Sequence, residues 1–125
     1  MSYLKLIDDK IQELAESFSA ILNVETTVVD NNLLRVAGTG DFYYRINENS
    51  PEDSLFAKVL ENGEPILNIY DSERDICLNC SHASTCKERK SLIYPIKIDN
   101  EVIGVVSFAS FNLEQDEIII SKVDE

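Results

Sequence analysis

The chain has 125 residues, 44% of them hydrophobic and 27% charged, which suits one globular domain with a core of its own and leaves little room for a second. Its 23 acidic residues outweigh 11 basic ones, a net charge of −12 that argues against direct contact with nucleic acid or an anionic membrane surface. No apolar run approaches the ~20 residues of a membrane span, and Met1–Lys10 carries no signal-peptide block, so the expected location is the cytoplasm.

Residues 3–22 carry Leu4, Ile7, Ile11, Leu14, Phe18 and Ile21 at alternating spacings of three and four, without Gly or Pro. This heptad seam predicts one amphipathic helix that packs on its own domain, pairs two subunits, or does both. Thr26–Val29 and Leu33–Ala37 flank Asp30-Asn31-Asn32 and predict a hairpin, closed by a turn at Gly38-Thr39-Gly40. That glycine pair lacks the residues that make a phosphate loop or a dinucleotide fingerprint.

Ser50-Pro51-Glu52-Asp53 punctuates the start of a helix with Ser50 as cap and Leu55, Phe56, Val59 and Leu60 as its apolar face; Asn62-Gly63 and Pro65 end it. Ile66–Tyr70 predicts a short strand. Ser91–Ile98 and Val102–Phe111 predict two longer ones joined by Asp99-Asn100-Glu101, with small residues Gly104, Ser107, Ala109 and Ser110 marking close packing or room for a ligand. Asn112 and Gln115 open a last helix over about 113–125, whose pattern is still running at the final residue. The sum is an α+β domain, 1–125, with a five-stranded antiparallel sheet over about 24–111 and the N- and C-terminal helices packed together. The running pattern suggests a domain cut from a longer chain.

All three cysteines fall in Cys77-Leu78-Asn79-Cys80-Ser81-His82-Ala83-Ser84-Thr85-Cys86, a C-x2-C-x5-C loop with His82 inside it. Thiolates two residues apart can address one metal ion, and a third from the same loop adds a ligand. Arg74, Lys87, Arg89 and Lys90 crowd the loop, where positive charge lowers thiol pKa and offsets a thiolate-bound centre. The pattern points to an iron–sulfur cluster or zinc held by Cys77, Cys80, Cys86 and His82, with Asp75 or a small molecule as other fourth ligands. A redox-active thiol group and a structural zinc knuckle remain alternatives. An iron–sulfur centre of this kind is readily lost in air, so an aerobic preparation is expected to be able to lack it.

A second candidate site, for a small-molecule effector, is a pocket between the sheet and the helix over 51–62, bordered by Tyr43, Tyr44, Arg45 and Phe56 with Phe108 across the sheet. Arg35 and Arg45 are candidate receivers of an anionic effector. A single histidine and no Ser/His/Asp constellation leave hydrolytic catalysis poorly supplied.

Thr27-Val28-Val29-Asp30, Leu34–Gly40, Val59–Pro65, the cysteine loop, Tyr94–Asp99 and Val102–Val106 together resemble the GAF-like, PAS-related sensors at the N-terminus of sigma-54-dependent transcriptional regulators. The resemblance spans about Ile11 to Gln115. It implies a non-enzymatic sensor, homodimeric through its terminal helices, followed in the same polypeptide by an ATPase and a helix-turn-helix DNA reader. Where relatives of this kind can carry a further cysteine before the strand proline, this chain has Ile93 and Tyr94. Some GAF-fold proteins reduce methionine sulfoxide with cysteines, which makes a cysteine-dependent reductase the alternative of another class.

Overall fold

The computed structural model describes residues 3–50, 52, 54–68 and 90–123. The elements run α1 (Tyr3–Leu6), α2 (Asp8–Leu22), β1 (Glu25–Asp30), β2 (Arg35–Gly38), a 3-10 helix (Gly40–Arg45), α3 (Leu55–Asn62), β3 (Ile66–Asn68), β4 (Ser91–Ile98), β5 (Glu101–Ala109) and α4 (Leu113–Val123). The five strands form one sheet in the order β2-β1-β5-β4-β3, every neighbouring pair antiparallel. The β4–β5 hairpin turns on Asp99 and Asn100, both at positive φ (52° and 71°). That pair matches the type I′ turn, whose twist suits a two-residue connection and whose short polar residues tolerate it.

Side-chain alternation gives the sheet two different faces. On one, Val28, Ala37, Ile96 and Val106 meet Leu4, Ile11 and Ala15 of the N-terminal helices, and Leu92, Leu67 and Phe108 meet Ile118 and Ile119 of α4. On the other, Val29, Ile93 and Val105 meet Leu55, Phe56 and Val59 of α3. The terminal helices converge at one end of the first face, where Leu22 and Val24 share a cluster with Ile118 and Ile119.

The N-terminal segment is not the single helix its spacing predicts. It breaks at Ile7, and Lys5 Nζ donates to both Asp8 Oδ2 and Asn47 Oδ1, each at 2.9 Å, across the break. The Lys5 ammonium holds the Asp8 carboxyl below its ordinary range. A Cβ on Gly104 would strike Leu4 Cδ1 and lie 2.7 Å from Val29 O, so glycine lets α1 sit this close to the sheet. The seam is also split, with Leu4 and Ile11 packed on the sheet and the rest largely exposed. Leu4 is buried, yet Ile7, Leu14, Phe18 and Ile21 are 51%, 53%, 43% and 77% exposed. Packing by α2 uses Ile11 of the seam together with Ala15 and Leu22 beside it.

The start of α3 differs too. Its cap is Ser54, whose Oγ accepts from Ala57 N at 3.3 Å, while the proposed cap Ser50 sends its own N–H to Leu33 O at 2.7 Å. Ser50 belongs to the segment that covers the outer edge of β2, where Asn49 bridges Leu34, so it cannot also begin a helix. Gly63 closes α3 in the left-handed conformation at φ 68°, bonding Val59 O. Asn112 and Gln115 open α4 as expected, Gln115 N donating to Asn112 Oδ1 at 2.8 Å and Phe111 N to Gln115 Oε1 at 2.9 Å.

Edge strand β2 is sealed twice. Arg35 N donates to Glu48 O and Asn47 N to Arg35 O, and beyond them the Gln12 side chain pairs with Gly38 like a short piece of strand. Gln12 Nε2 donates to Gly38 O at 2.9 Å, and Gln12 Oε1 accepts from Gly38 N at 2.8 Å. An edge strand needs such cover for its outward N–H and C=O groups. Gln12→Ala should therefore cost about 1–2 kcal/mol. Hydrogen exchange checks it: the Gly38 amide should lose its protection while amides in β5 keep theirs, and equal protection in both proteins would contradict the pairing.

Candidate functional site

Cys77, Cys80, His82 and Cys86 lie outside the described residues, as does Asp75. Among the described residues, no group of three or more His, Cys, Asp or Glu side chains is placed to hold a metal ion. The chain that leaves the cysteine segment is nonetheless firmly tied. Lys90 N donates to Ser110 Oγ at 2.9 Å, Ser110 N to Lys90 O at 2.8 Å, and Ser110 Oγ to Asp116 Oδ1 at 2.6 Å. Asp116 is buried in the first turn of α4, where the helix dipole favours a carboxylate. One serine thus joins the exit of the cysteine segment to the start of the last helix.

The five pocket candidates do not converge. Tyr43 and Tyr44 stand on the 3-10 helix, 56% and 81% exposed, with their rings edge to face at 5.6 Å. Arg45 closes that helix and is partly exposed. Phe56 is buried under α3 on one sheet face, whereas Phe108 lies on the opposite face, edge to face with Phe18 at 6.0 Å. The period-two alternation of β5 decides this: Phe108 pairs across the sheet with Leu92 and Thr26, while Val105 and Ser107 point toward α3.

A different group gathers on the α3 face. Arg35, 7% exposed, lies with its guanidinium carbon 4.8 Å from the Phe42 ring centre and 5.7 Å from that of Phe56. Arg35 Nη1 donates to Thr27 Oγ1 at 2.6 Å, and Thr27 Oγ1 donates to Ala37 O at 2.8 Å. Thr27 pairs directly with Ser107 of β5, both wholly buried. Ser107 Oγ has no hydrogen-bond partner among the described residues. A buried hydroxyl left unsatisfied costs about 1–3 kcal/mol, which makes it a place to look for a function. The stacked aromatic rings stabilise the buried cation by about 2 kcal/mol. Phe42 also meets Phe111 edge to face at 5.3 Å, so the group reaches the residue just before Asn112, the cap of α4.

Thr27 and Phe42 escape a reading of the sequence, whereas Ser107 is among the small residues of β5 that mark close packing or room for a ligand. One further signal does exist: Arg35 is a polar interruption of the apolar run Leu33–Ala37, as Ser107 is of the apolar run in β5. What makes them neighbours is the pairing of β1 with β5 and the bulge between Val28 and Val29, and neither is written locally.

The other face holds an apolar cleft of about 170 Å³ lined by Leu22, Val24, Leu92, Tyr94, Phe108 and the α4 residues Ile118, Ile119 and Lys122. It opens between the ends of the two terminal helices.

A GAF domain profile matches residues 4–121. Over 125 residues the chain is 30% identical to an Escherichia coli (strain K12) protein provisionally named uric acid sigma-54-dependent transcriptional regulator UacR, covering 99% of this chain and 21% of that protein. The chain thus spans about a fifth of the length of the curated relative that it matches. Among solved structures, it is similar to the GAF domain of an Acinetobacter phosphoenolpyruvate-protein phosphotransferase, with a TM-score of 0.68 at 12% identity over 91% of this chain and 75% of that one. It is also similar to a type II free methionine-R-sulfoxide reductase from Thermoplasma acidophilum, with a TM-score of 0.65 at 14% identity over 98% of this chain and 90% of that one. At these identities the likeness is one of fold.

Proposed function

This chain belongs to the GAF domain family, and on that premise we propose that it is the signal-input domain of a sigma-54-dependent transcriptional regulator, a cytoplasmic sensor without catalytic activity of its own. The observation that carries the reading is the contrast between the two sheet faces. One keeps buried polar groups, Arg35, Thr27 and Ser107, under α3; the other carries α2, whose Leu14, Phe18 and Ile21 are exposed, as is Ile7 just before it. A face that receives a small molecule and a face that pairs subunits are the two parts a sensor needs. Among the described residues, no helix is long and apolar enough to cross a membrane.

In this reading a small effector occupies the α3 face, and urate is the first to try, since the similar E. coli regulator is named for uric acid. Cys77, Cys80 and Cys86, with His82, hold an iron–sulfur cluster or zinc; the C-x2-C-x5-C spacing and the basic residues around it support that assignment. Such a group supplies sensitivity to metal or redox state. Three contacts carry the signal onward: Gln12 to Gly38 links β2 to α2, Phe42 to Phe111 links the α3 face to α4, and Ser110 to Asp116 links the exit of the cysteine segment to α4. The seam of α2, with Leu113 and Ile120 of α4, pairs with a second copy, and the ATPase and DNA-binding domains of the same polypeptide read the arrangement. The effector acts by favouring one of two helix arrangements.

The test uses the full-length regulator on a sigma-54-dependent reporter promoter. Urate or a metal-limited medium should change reporter output by roughly 5- to 150-fold, the range of ordinary coupling energies. Replacing Cys77, Cys80 and Cys86 together with Ser should remove the metal-dependent part and the iron or zinc of anaerobically purified protein. A regulator that answers neither treatment, or a triple variant with unchanged metal content and response, would defeat the corresponding half of the reading. Turnover of free methionine sulfoxide by the purified chain would favour the reductase instead.

A further inference from the structure

On the sheet face away from α3, we infer that the cleft between the ends of α2 and α4 is a second binding site, for an uncharged apolar molecule about the size of one aromatic ring. Three observations carry it. The cleft encloses about 170 Å³, and apolar cavities of about 150 Å³ take up benzene or xenon rather than water. Six of its eight lining residues end in hydrocarbon, and the other two, Tyr94 and Lys122, are the exposed ones. The packing around it is also thin. Among the described residues its cluster has only Val24, Leu92 and Ile119 as buried members, against six in each of the other two clusters, so apolar surface here is left without a protein side chain to cover it.

The walls select the kind of molecule. Phe108 pairs with Leu92 across the β4–β5 ladder, and Tyr94 stands two residues along the same strand, so two aromatic side chains share the sheet side of the cleft. A ring placed against them gains offset or edge contacts that an aliphatic molecule of equal size lacks. Charge is rejected by the same walls, because an ion, or a ring with several polar edges such as urate, would give up its hydration for hydrocarbon. The occupant of this cleft therefore differs in kind from the effector proposed for the α3 face. Leu22 is the last residue of α2, and Ile118 and Ile119 belong to α4, so a bound ring lies between the two terminal helices. Occupancy and the separation of those helices are thereby linked.

The probes are benzene and indole, with sodium benzoate as the charged control, added to the 125-residue chain labelled at its Ile, Leu and Val methyl groups. Either ring should shift the methyl NMR signals of Leu22, Val24, Leu92, Ile118 and Ile119 saturably, with a dissociation constant on the order of 1 mM. The signals of Val29, Val59 and Val105 under α3 should stay in place, and the unfolding temperature should rise. Benzoate should bind at least roughly tenfold more weakly. Val24→Phe fills the cleft with a side chain of the protein and should weaken benzene at least roughly tenfold. If that variant does not fold, Ile118→Phe fills the cleft from a partly buried position and should do the same. Four results overturn the inference: no saturable response to either ring, shifts centred on the α3 face, benzoate binding as tightly as benzene, or benzene binding untouched by the filling variant. Cleft signals that move with protein concentration and not with benzene would assign the cleft to a second copy of the chain, and overturn it too. The site does not rest on the sensor reading: a regulator whose output never changes can still hold benzene here, and a responsive one can leave the cleft empty.

Discussion

Gly38→Val should bring the chain close to unfolding, at a cost of about 3 kcal/mol or more, because side-chain bulk has nowhere to go at that position. A Cβ on Gly38 would lie 2.6 Å from Phe42 Cβ and 2.8 Å from both the Phe42 carbonyl carbon and its oxygen. Two of those three atoms are backbone, so the clash is not relieved by turning a side chain. The 3-10 helix would have to back away from β2. That movement draws Phe42 off the Arg35 guanidinium and off Phe111, and disturbs the two bonds between Gln12 and Gly38. Against a total stability of about 5–15 kcal/mol for a natural domain, this is a large fraction. Urea denaturation reads it directly as a lower midpoint with an unchanged slope. Gly38→Ala should already show part of the loss, and a valine variant with the parent's midpoint would mean that β2 and the 3-10 helix are further apart than 2.6 Å allows.

Truncation of Ile93 to alanine should cost about 3–4 kcal/mol, and the same change at Ile119 should cost less, about 2 kcal/mol. Both side chains are 1% exposed, so transfer energy alone does not separate them. Their surroundings do. Ile93 sits in the middle of β4, paired with Ser107 on one side and Ile66 on the other, and packs among Val29, Val59 and Val105. Rigid strands on both flanks prevent collapse, and the vacated volume stays empty. Ile119 borders the cleft between α2 and α4, which already provides slack that water or a small shift of the helix can take up. Equal losses at the two sites, measured by the same urea titration, would show that the end of α4 is held as tightly as the middle of the sheet.

The same contrast governs how much could be read before the fold was known. Strands, the Asp99-Asn100 turn, the glycine stop of α3 and the Asn112–Gln115 opening of α4 rest on interactions between residues a few positions apart, and their chemistry is local. The family resemblance rests on the same kind of short segment, and the match over residues 4–121 bears it out. The α2 seam shows where local reading stops. Spacing identifies an apolar stripe but says nothing about which of its residues meet the sheet: Leu4, Ile11 and the small Ala15 pack against it and Phe18 meets Phe108, while Ile7, Leu14 and Ile21 stay mostly exposed. The cap of α3 shows it again, since Ser50 is claimed by an edge strand distant in sequence.

By itself, then, the sequence determined the α+β class, the sheet's strands, the excess of acidic residues and three cysteines at metal-ligand spacing, all consequences of composition and period. Only the tertiary structure decided which polar residues share a buried site. Arg35, Thr27 and Ser107 come from three strands spread over 81 positions of chain, and they meet because β1 lies between β2 and β5. Strand order and register are collective properties of the whole sheet. A one-residue slip in either pairing would turn Ser107 to the opposite face and put Phe108 beside the guanidinium.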